Sequence, residues 1–251
     1  MNQQAVTASV LVIGNEILSG RTQDTNLNHI ALTIGRWGIQ VREARVIPDL
    51  ENVIVAAVND ARSRFDYLFT TGGIGPTHDD ITTDCIAAAF GVELVESPEI
   101  AAIIQQRDAP PAVMEARMRM ARIPAGATLI DNPTGGPQGF RIENVYVMAG
   151  IPTVMQAMLS SLEGKLEAGP VVQSRTVTAY LGESQIASAL GTIQNAHPEI
   201  DLGSYPFFKN DRYGTSLVMR GTDETALDTM LEEVKAAIVA AGETPVDVQR
   251  G

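Results

Sequence analysis

The chain has 251 residues, 45% of them hydrophobic and 5% aromatic, with a formal net charge of −12; that length suits one large domain, or a medium and a small one. The acidity sets aside a nucleic-acid partner, whose backbone would need a basic face. A single cysteine excludes an internal disulfide framework and a multi-cysteine zinc site, and no apolar run approaches the roughly 20 residues that span a bilayer.

The opening stretch MNQQAVTASVLVIG has neither a basic n-region nor a cleavage pattern, so no secretory leader is expected and the expected location is the cytoplasm. Residues 5–13 form a predicted buried strand that ends at Gly14. A helix is predicted over 24–37, where Leu27, Ile30, Ala31, Ile34 and Trp37 share one face. GIQVREARVIPD is a second strand closing at Pro48 and Asp49, 51–64 a helix, DYLFTT a third strand and 81–90 a third helix. Strands alternating with helices of this length imply right-handed βαβ units and a mostly parallel sheet. The strands are nearly continuous in apolar residues, as when helices cover both faces.

Residues 97–121 are helical in pattern but interrupted by APPA at 109–112. The following PAGATLIDNPTGGPQGF is glycine- and proline-rich, with a short strand inside loops. RIENVYVMAG is a strand pair turning at Glu143 and Asn144, and 151–162 is helical. A seam is expected at 166–172, giving domains over 1–168 and 169–251. The second carries a βαββα order with KNDRYG as a hairpin loop. Its last helix presents Leu227, Met230, Leu231, Val234 and Ile238 on one face, which suits a small α+β domain.

The chemistry concentrates in TTGGIGPTHDD, where Thr71, Gly72, Gly73, Gly75, Pro76 and Thr77 link a strand to a helix. Glycine permits positive φ and close ligand approach. The helix's first amides lack intrahelical partners, and together with its dipole they favour an anion. In an open α/β sheet this edge is where ligands bind. A tight turn capped by Asp79 or Asp80 is the plainer alternative. Two adjacent aspartates, with Asp84 a turn later, exceed what a cap needs. Carboxylates beside a phosphate require a cation between them, and Mg²⁺ typically bridges one or two carboxylates and substrate phosphates. His78 is open to three roles: metal ligand, leaving-group acid or solvated loop residue. Cys85, among alanines, is a small core residue. Of the basic cluster Arg117, Arg119 and Arg122, the first two suit a solvated helix face.

GNEILSGRTQDTN, TTGGIGPTHDDIT and IPAGATLIDNPTGGPQGF followed by AGIP occur in that order. In this they resemble the molybdopterin-binding domain family, and within it the competence/damage-inducible protein A (CinA) branch, over about residues 8–165. The resemblance implies a three-layer α/β sandwich and, as ligand, molybdopterin, its adenylylated form or a related nucleotide. It further implies an acidic pair matched here by Asp80 and Asp49 as catalytic residues; Asp80, with Asp49 or Asp79, would hold the divalent ion. Independently, Asp49 ends one strand and Asp80 follows another, so one carboxyl edge can hold both; a plain turn after Pro48 is the other reading of Asp49.

Gly14 and Glu16 of GNEILSG, Asn132 and Gly135 of NPTGGPQGF, and Gly150 of AGIP complete the candidate ligand contacts. Asp24 and Asn26 suit a helix start first and a ligand contact second. AGIP departs from the family's Pro-Gly-Val-Pro. The branch implies hydrolysis of a nucleotide diphosphate bond, ADP-ribose being the substrate, with Mg, Mn or Co; the alternative is a carrier without chemistry. A homo-oligomer, dimer or trimer, is expected, and the carboxy-terminal amidase domain of longer relatives is not.

Overall fold

The computed structural model describes residues 5–209 and 211–251. The first four residues of the opening stretch and Asn210 of the KNDRYG loop lie outside these. The chain divides into two compact units, with the boundary between Pro170 and Val171.

The first unit opens with β1 (Val6–Ile13), a one-turn helix α1 (Asn15–Leu18), α2 (Asn26–Arg36), β2 (Ile39–Ile47), α3 (Glu51–Arg64), β3 (Tyr67–Thr71) and α4 (Thr82–Phe90). The interrupted region resolves into β4 (Leu94–Glu96), α5 (Pro98–Gln105), α6 (Pro111–Met118) and β5 (Arg122–Pro124), with β4 and β5 paired. Proline begins both helices, where its missing amide costs nothing. Then follow β6 (Thr128–Ile130), β7 (Gly139–Ile142), β8 (Val145–Met148) and α7 (Pro152–Ser160).

Six strands form one sheet in the order β2-β1-β3-β8-β7-β6. The pairs β2–β1, β1–β3 and β3–β8 are parallel, and β8–β7 and β7–β6 antiparallel. The strand alternation divides the core. Leu11 and Ile13 join Ile54, Val58 and Ile86 in one cluster, whereas Val10 and Val12 join Ile30, Ile34 and Met155 in another. Helices α3 and α4 thus cover one face and α2 and α7 the other, the expected three-layer sandwich. Burying each large side chain contributes roughly 1.5–3 kcal/mol. One strand departs from the expected apolar run: β2 carries Arg42, Glu43 and Arg45, because it is an edge strand with a partner on one side only.

The order places β2 and β3 on opposite sides of β1. The chain leaves β1 one way and returns the other, so the carboxyl ends of β1 and β3 form a topological switch point, where open α/β sheets bind ligands. GNEIL follows β1 and TTGGIG follows β3.

The second unit contains β9 (Gln173–Ala179), α8 (Glu183–Ala196), β10 (Asp201–Lys209), β11 (Arg212–Gly221) and α9 (Glu224–Ala240). A further strand, β12 (Val246–Arg250), extends the expected βαββα order; its VDVQR has too few apolar residues to signal a strand, and it forms by pairing with β9. The sheet runs β10-β11-β9-β12, antiparallel throughout. All five expected apolar residues of α9 are buried. Arg175, only 3% exposed at its side chain, pairs with Asp228 at 2.7 Å and Glu224 at 3.2 Å. The Arg175 guanidinium holds the Asp228 carboxyl below its ordinary range. That stabilisation is full above the ordinary aspartate pKa and is lost as pH falls through the depressed value. Asp228→Asn is therefore expected to lower the unfolding midpoint at pH 7, with the difference from the parent shrinking as thermal melts are taken below the ordinary aspartate pKa.

Candidate functional site

A cleft of about 690 Å³ lies in the first unit at the switch point, within the usual size range of small-molecule sites. Gly72, Gly73, Gly75 and Pro76 line it together with Asp80, Glu16, Asn132 and Gly150.

Local sterics explain the glycines. Gly72 has φ 107°, and a Cβ there would stand 2.1 Å from the Ile13 carbonyl oxygen. Gly73 has φ 68°, and a Cβ there would stand 2.2 Å from Thr82 Oγ1. These main-chain units are pressed against β1 and the start of α4, so only glycine fits and the backbone itself becomes the cleft wall. Gly150 lies against Gly72, where a Cβ would meet Gly72 Cα at 3.2 Å.

Asn26 ties these turns together. Its Nδ2 donates to Thr71 Oγ1 and to the Gly150 carbonyl, each at 2.8 Å, and Thr71 Oγ1 donates to the Ala149 carbonyl at 2.8 Å. Thr71 is wholly buried and does not line the cleft. Asp24 has the helix-start role: its carboxylate accepts from the amides of Asn26 and Leu27.

Neither Asp79 nor Asp80 caps α4. Ile81 occupies the cap position without a side-chain bond, and the Thr82 amide donates to the Gly73 carbonyl at 2.9 Å. Asp80 instead folds back over its own loop, where Oδ2 accepts from the amide and the hydroxyl of Thr77. Thr77 therefore acts behind the cleft, orienting Asp80. Among the described residues Oδ1 of Asp80 has no hydrogen-bond donor. Thr83, in the first turn of α4, also lines the cleft, and first-turn amides have no intrahelical acceptor.

The expected acidic pair does not meet inside the cleft. Asp49 is not a lining residue; its Oδ2 accepts from the Asn15 amide at 2.8 Å and fastens the turn that carries Glu16. Gly14 also stands behind the wall, with the Glu16 carboxylate lying over it. Asp79 is 67% exposed at its side chain and His78 97%, and neither lines the cleft. The cleft's carboxylates are thus Asp80 and Glu16. Among the described residues no three His, Cys, Asp or Glu side chains converge as a metal cage. Asp80 and Glu16 suit the looser arrangement in which one or two carboxylates and ligand phosphates share a hydrated divalent ion.

The Asn132 carboxamide is spent internally. Its Oδ1 accepts from the amide and hydroxyl of Thr134, and its Nδ2 donates to the Pro137 carbonyl at 2.9 Å. Asn132 shapes the loop, and Gly136 and Gln138 join it in the wall; Gly135 faces a smaller neighbouring cavity instead.

Two cations line the cleft, Arg107 and Arg122. Arg122 pairs with Asp84 at 3.2 Å, both half exposed, a contact worth under about 1 kcal/mol. Arg107 escaped the sequence reading, since an arginine just past a helix carries no motif. Cys85 is 1% exposed, and burial pushes its thiol up to about 11, which suits a core residue.

Residues 9–167 match the family model described as "Probable molybdopterin binding domain". The chain belongs to the molybdopterin-binding domain family. Residues 171–246 match the model of the FAD synthase middle domain. Protein Ta0487 of Thermoplasma acidophilum is 31% identical over 248 residues, covering 95% of this chain and 96% of that protein. The crystal structure of the protein CinA of unknown function from Thermoplasma acidophilum has a TM-score of 0.59 at 34% identity. It covers 64% of this chain and 98% of that one. The CinA-like protein of Gemmatimonas aurantiaca is 33% identical over 199 residues, 73% of this chain and 46% of that protein, so this chain matches about half the length of that relative. Among the described residues no helix is long and apolar enough to cross a membrane. The match over residues 9–167 contains every residue that lines the cleft.

Gly72→Ala is expected to cost about 1–3 kcal/mol in urea unfolding, from the positive φ and the Ile13 carbonyl. Thr71→Val leaves the Ala149 carbonyl and one Asn26 N–H without their partner and is expected to cost about 1–3 kcal/mol in urea unfolding.

Proposed function

We propose that this cleft binds a nucleotide- or pterin-type ligand through its diphosphate and hydrolyses a nucleotide diphosphate bond of the ADP-ribose kind with the help of Mg, Mn or Co. The observation that carries the reading is the joint exposure of Gly72, Gly73 and Gly75 main chain and the Asp80 carboxylate to one cleft. Backbone amides hold phosphate oxygens without adding charge of their own. The amides of Gly73 to Gly75 and of Thr83 position the diphosphate, the Gly72 amide being spent on the Met148 carbonyl. The free Oδ1 of Asp80 accepts a hydrogen bond from a water aligned with phosphorus, and takes its proton as the new P–O bond forms and the bridging P–O bond breaks. Arg107 and Arg122 offset the negative charge that collects on the phosphate oxygens. A divalent ion shared by Asp80, Glu16 and the phosphates would supply further charge neutralisation and a more acidic water. Asp49 serves this arrangement indirectly, by holding the turn that presents Glu16.

A second reading is a molybdopterin or nucleotide carrier linked to molybdenum cofactor metabolism. The commitment of Asp80 Oδ2 to Thr77 favours it, because that bond is equally a loop brace. The reading as a whole includes a cytoplasmic homo-oligomer, dimer or trimer, which light scattering after size exclusion would measure.

ADP-ribose with Mg²⁺, Mn²⁺ or Co²⁺ should yield AMP and ribose 5-phosphate, resolved by chromatography. Asp80→Asn is expected to lower that rate by about 10²-fold or more with the circular dichroism spectrum unchanged. Full activity in the variant would remove Asp80 from the chemistry, and tight binding with no AMP from the parent chain would establish the carrier.

A further inference from the structure

A smaller cavity of about 130 Å³ adjoins the cleft and shares Arg107, Met120, Gly136 and Pro137 with it. Its own additions include Arg117, Ile103 and Gly135. Two guanidiniums therefore face a compartment that also presents apolar side chains. Among the described residues neither Arg107 nor Arg117 forms a salt bridge with a carboxylate, although the chain carries 30 acidic residues against 18 basic ones. Arg107 Nη2 reaches the Gly135 carbonyl at 3.4 Å, beyond the usual range for N–H···O bonds. Arg117 Nη1 reaches the Arg107 carbonyl at 3.3 Å, a contact nearly as long, so neither guanidinium holds a short bond.

We propose that Arg107 and Arg117 form an oxyanion subsite of the phosphate class in this side cavity, distinct from the glycine-loop seat. The volume is well below that of an ordinary small-molecule site, which selects a compact group over a ring system. A guanidinium exchanges a long contact to a neutral carbonyl for a charge-assisted fork to phosphate oxygens, a gain in both strength and geometry. Arg107 belongs to both cavities, so a group bound in the side cavity continues the path of a ligand lying in the cleft. The anion is either a phosphoryl group carried by that ligand or free inorganic phosphate; the guanidinium chemistry is the same. The subsite does not depend on hydrolysis in the cleft.

The test is calorimetric titration of the whole chain with inorganic phosphate, AMP and ADP. The variants are Arg107→Gln, Arg117→Gln and Arg119→Gln, the last removing the same charge at an exposed residue that lines neither cavity. Phosphate should bind the parent at millimolar concentration, also in the presence of AMP. Arg107→Gln and Arg117→Gln should each weaken it at least about tenfold, while Arg119→Gln changes it within about twofold. If Arg117→Gln, which lines only the side cavity, weakens ADP but not AMP, the anion is carried by the ligand. If phosphate still binds beside ADP, it is free phosphate. Absence of phosphate binding to the parent overturns the subsite, as does an equal effect of Arg119→Gln, or phosphate displaced by AMP and indifferent to Arg107→Gln. Failure of AMP to bind would count against the nucleotide reading of the cleft and leaves the phosphate arm to decide the subsite. Should Arg107→Gln unfold, Arg107→Lys keeps the charge without the fork and is expected to bind phosphate at an intermediate affinity.

Discussion

The site depends on how closely three strand ends approach one another. At Gly72 the main chain lies against the Ile13 carbonyl on one side and the Gly150 turn on the other, leaving no room for a side chain. Strands β1, β3 and β8 meet there at their carboxyl ends. The Asn26 carboxamide, buried at the start of α2, bonds to Thr71 at the end of β3 and to the Gly150 carbonyl just past β8. A backbone held this tightly can serve as a binding surface. Its amides are already placed, and little conformational entropy is left to lose when a ligand arrives.

The carboxylates of this edge have different tasks. Asp24 caps α2, Asp49 fastens α1, and Asp84 meets Arg122. Among the described residues, the carboxylates that line the cleft are Asp80 and Glu16. Most of the charge of Asp24, Asp49 and Asp84 is thus engaged by backbone amides or by an arginine, which suits the anion site proposed for the cleft. The cleft itself balances two carboxylates against two guanidiniums, within a chain that is acidic as a whole.

The elements most legible in the sequence were those whose pattern is local. The face of α9, the βαβ alternation and the Glu143–Asn144 turn appear as read, since helical periodicity and tight turns act over a few residues; α2 is shorter than expected, leaving Trp37 at its end, and the helix break falls before Pro111, which starts α6. The glycine loop was legible for the same reason, because a run of glycines between a strand and a helix has few structural uses. Strand β12 was not, since VDVQR becomes a strand only beside β9. The edge position of β2 was equally hidden, although its charged residues follow from it.

Sequence alone settled the βαβ order through α4, the loop that must hold positive φ, and the family to which the motifs point; the β4–β5 pair and β12 were added by the structure. Tertiary structure decided which polar groups face the ligand. Asp49 and Asp80 both follow strands of one sheet, yet one turns to the Asn15 amide and the other to the cleft. Arg107 joined the site with no motif to announce it. A side chain's direction depends on the partners that a distant segment brings within hydrogen-bonding distance, and neighbours along the chain do not carry that information.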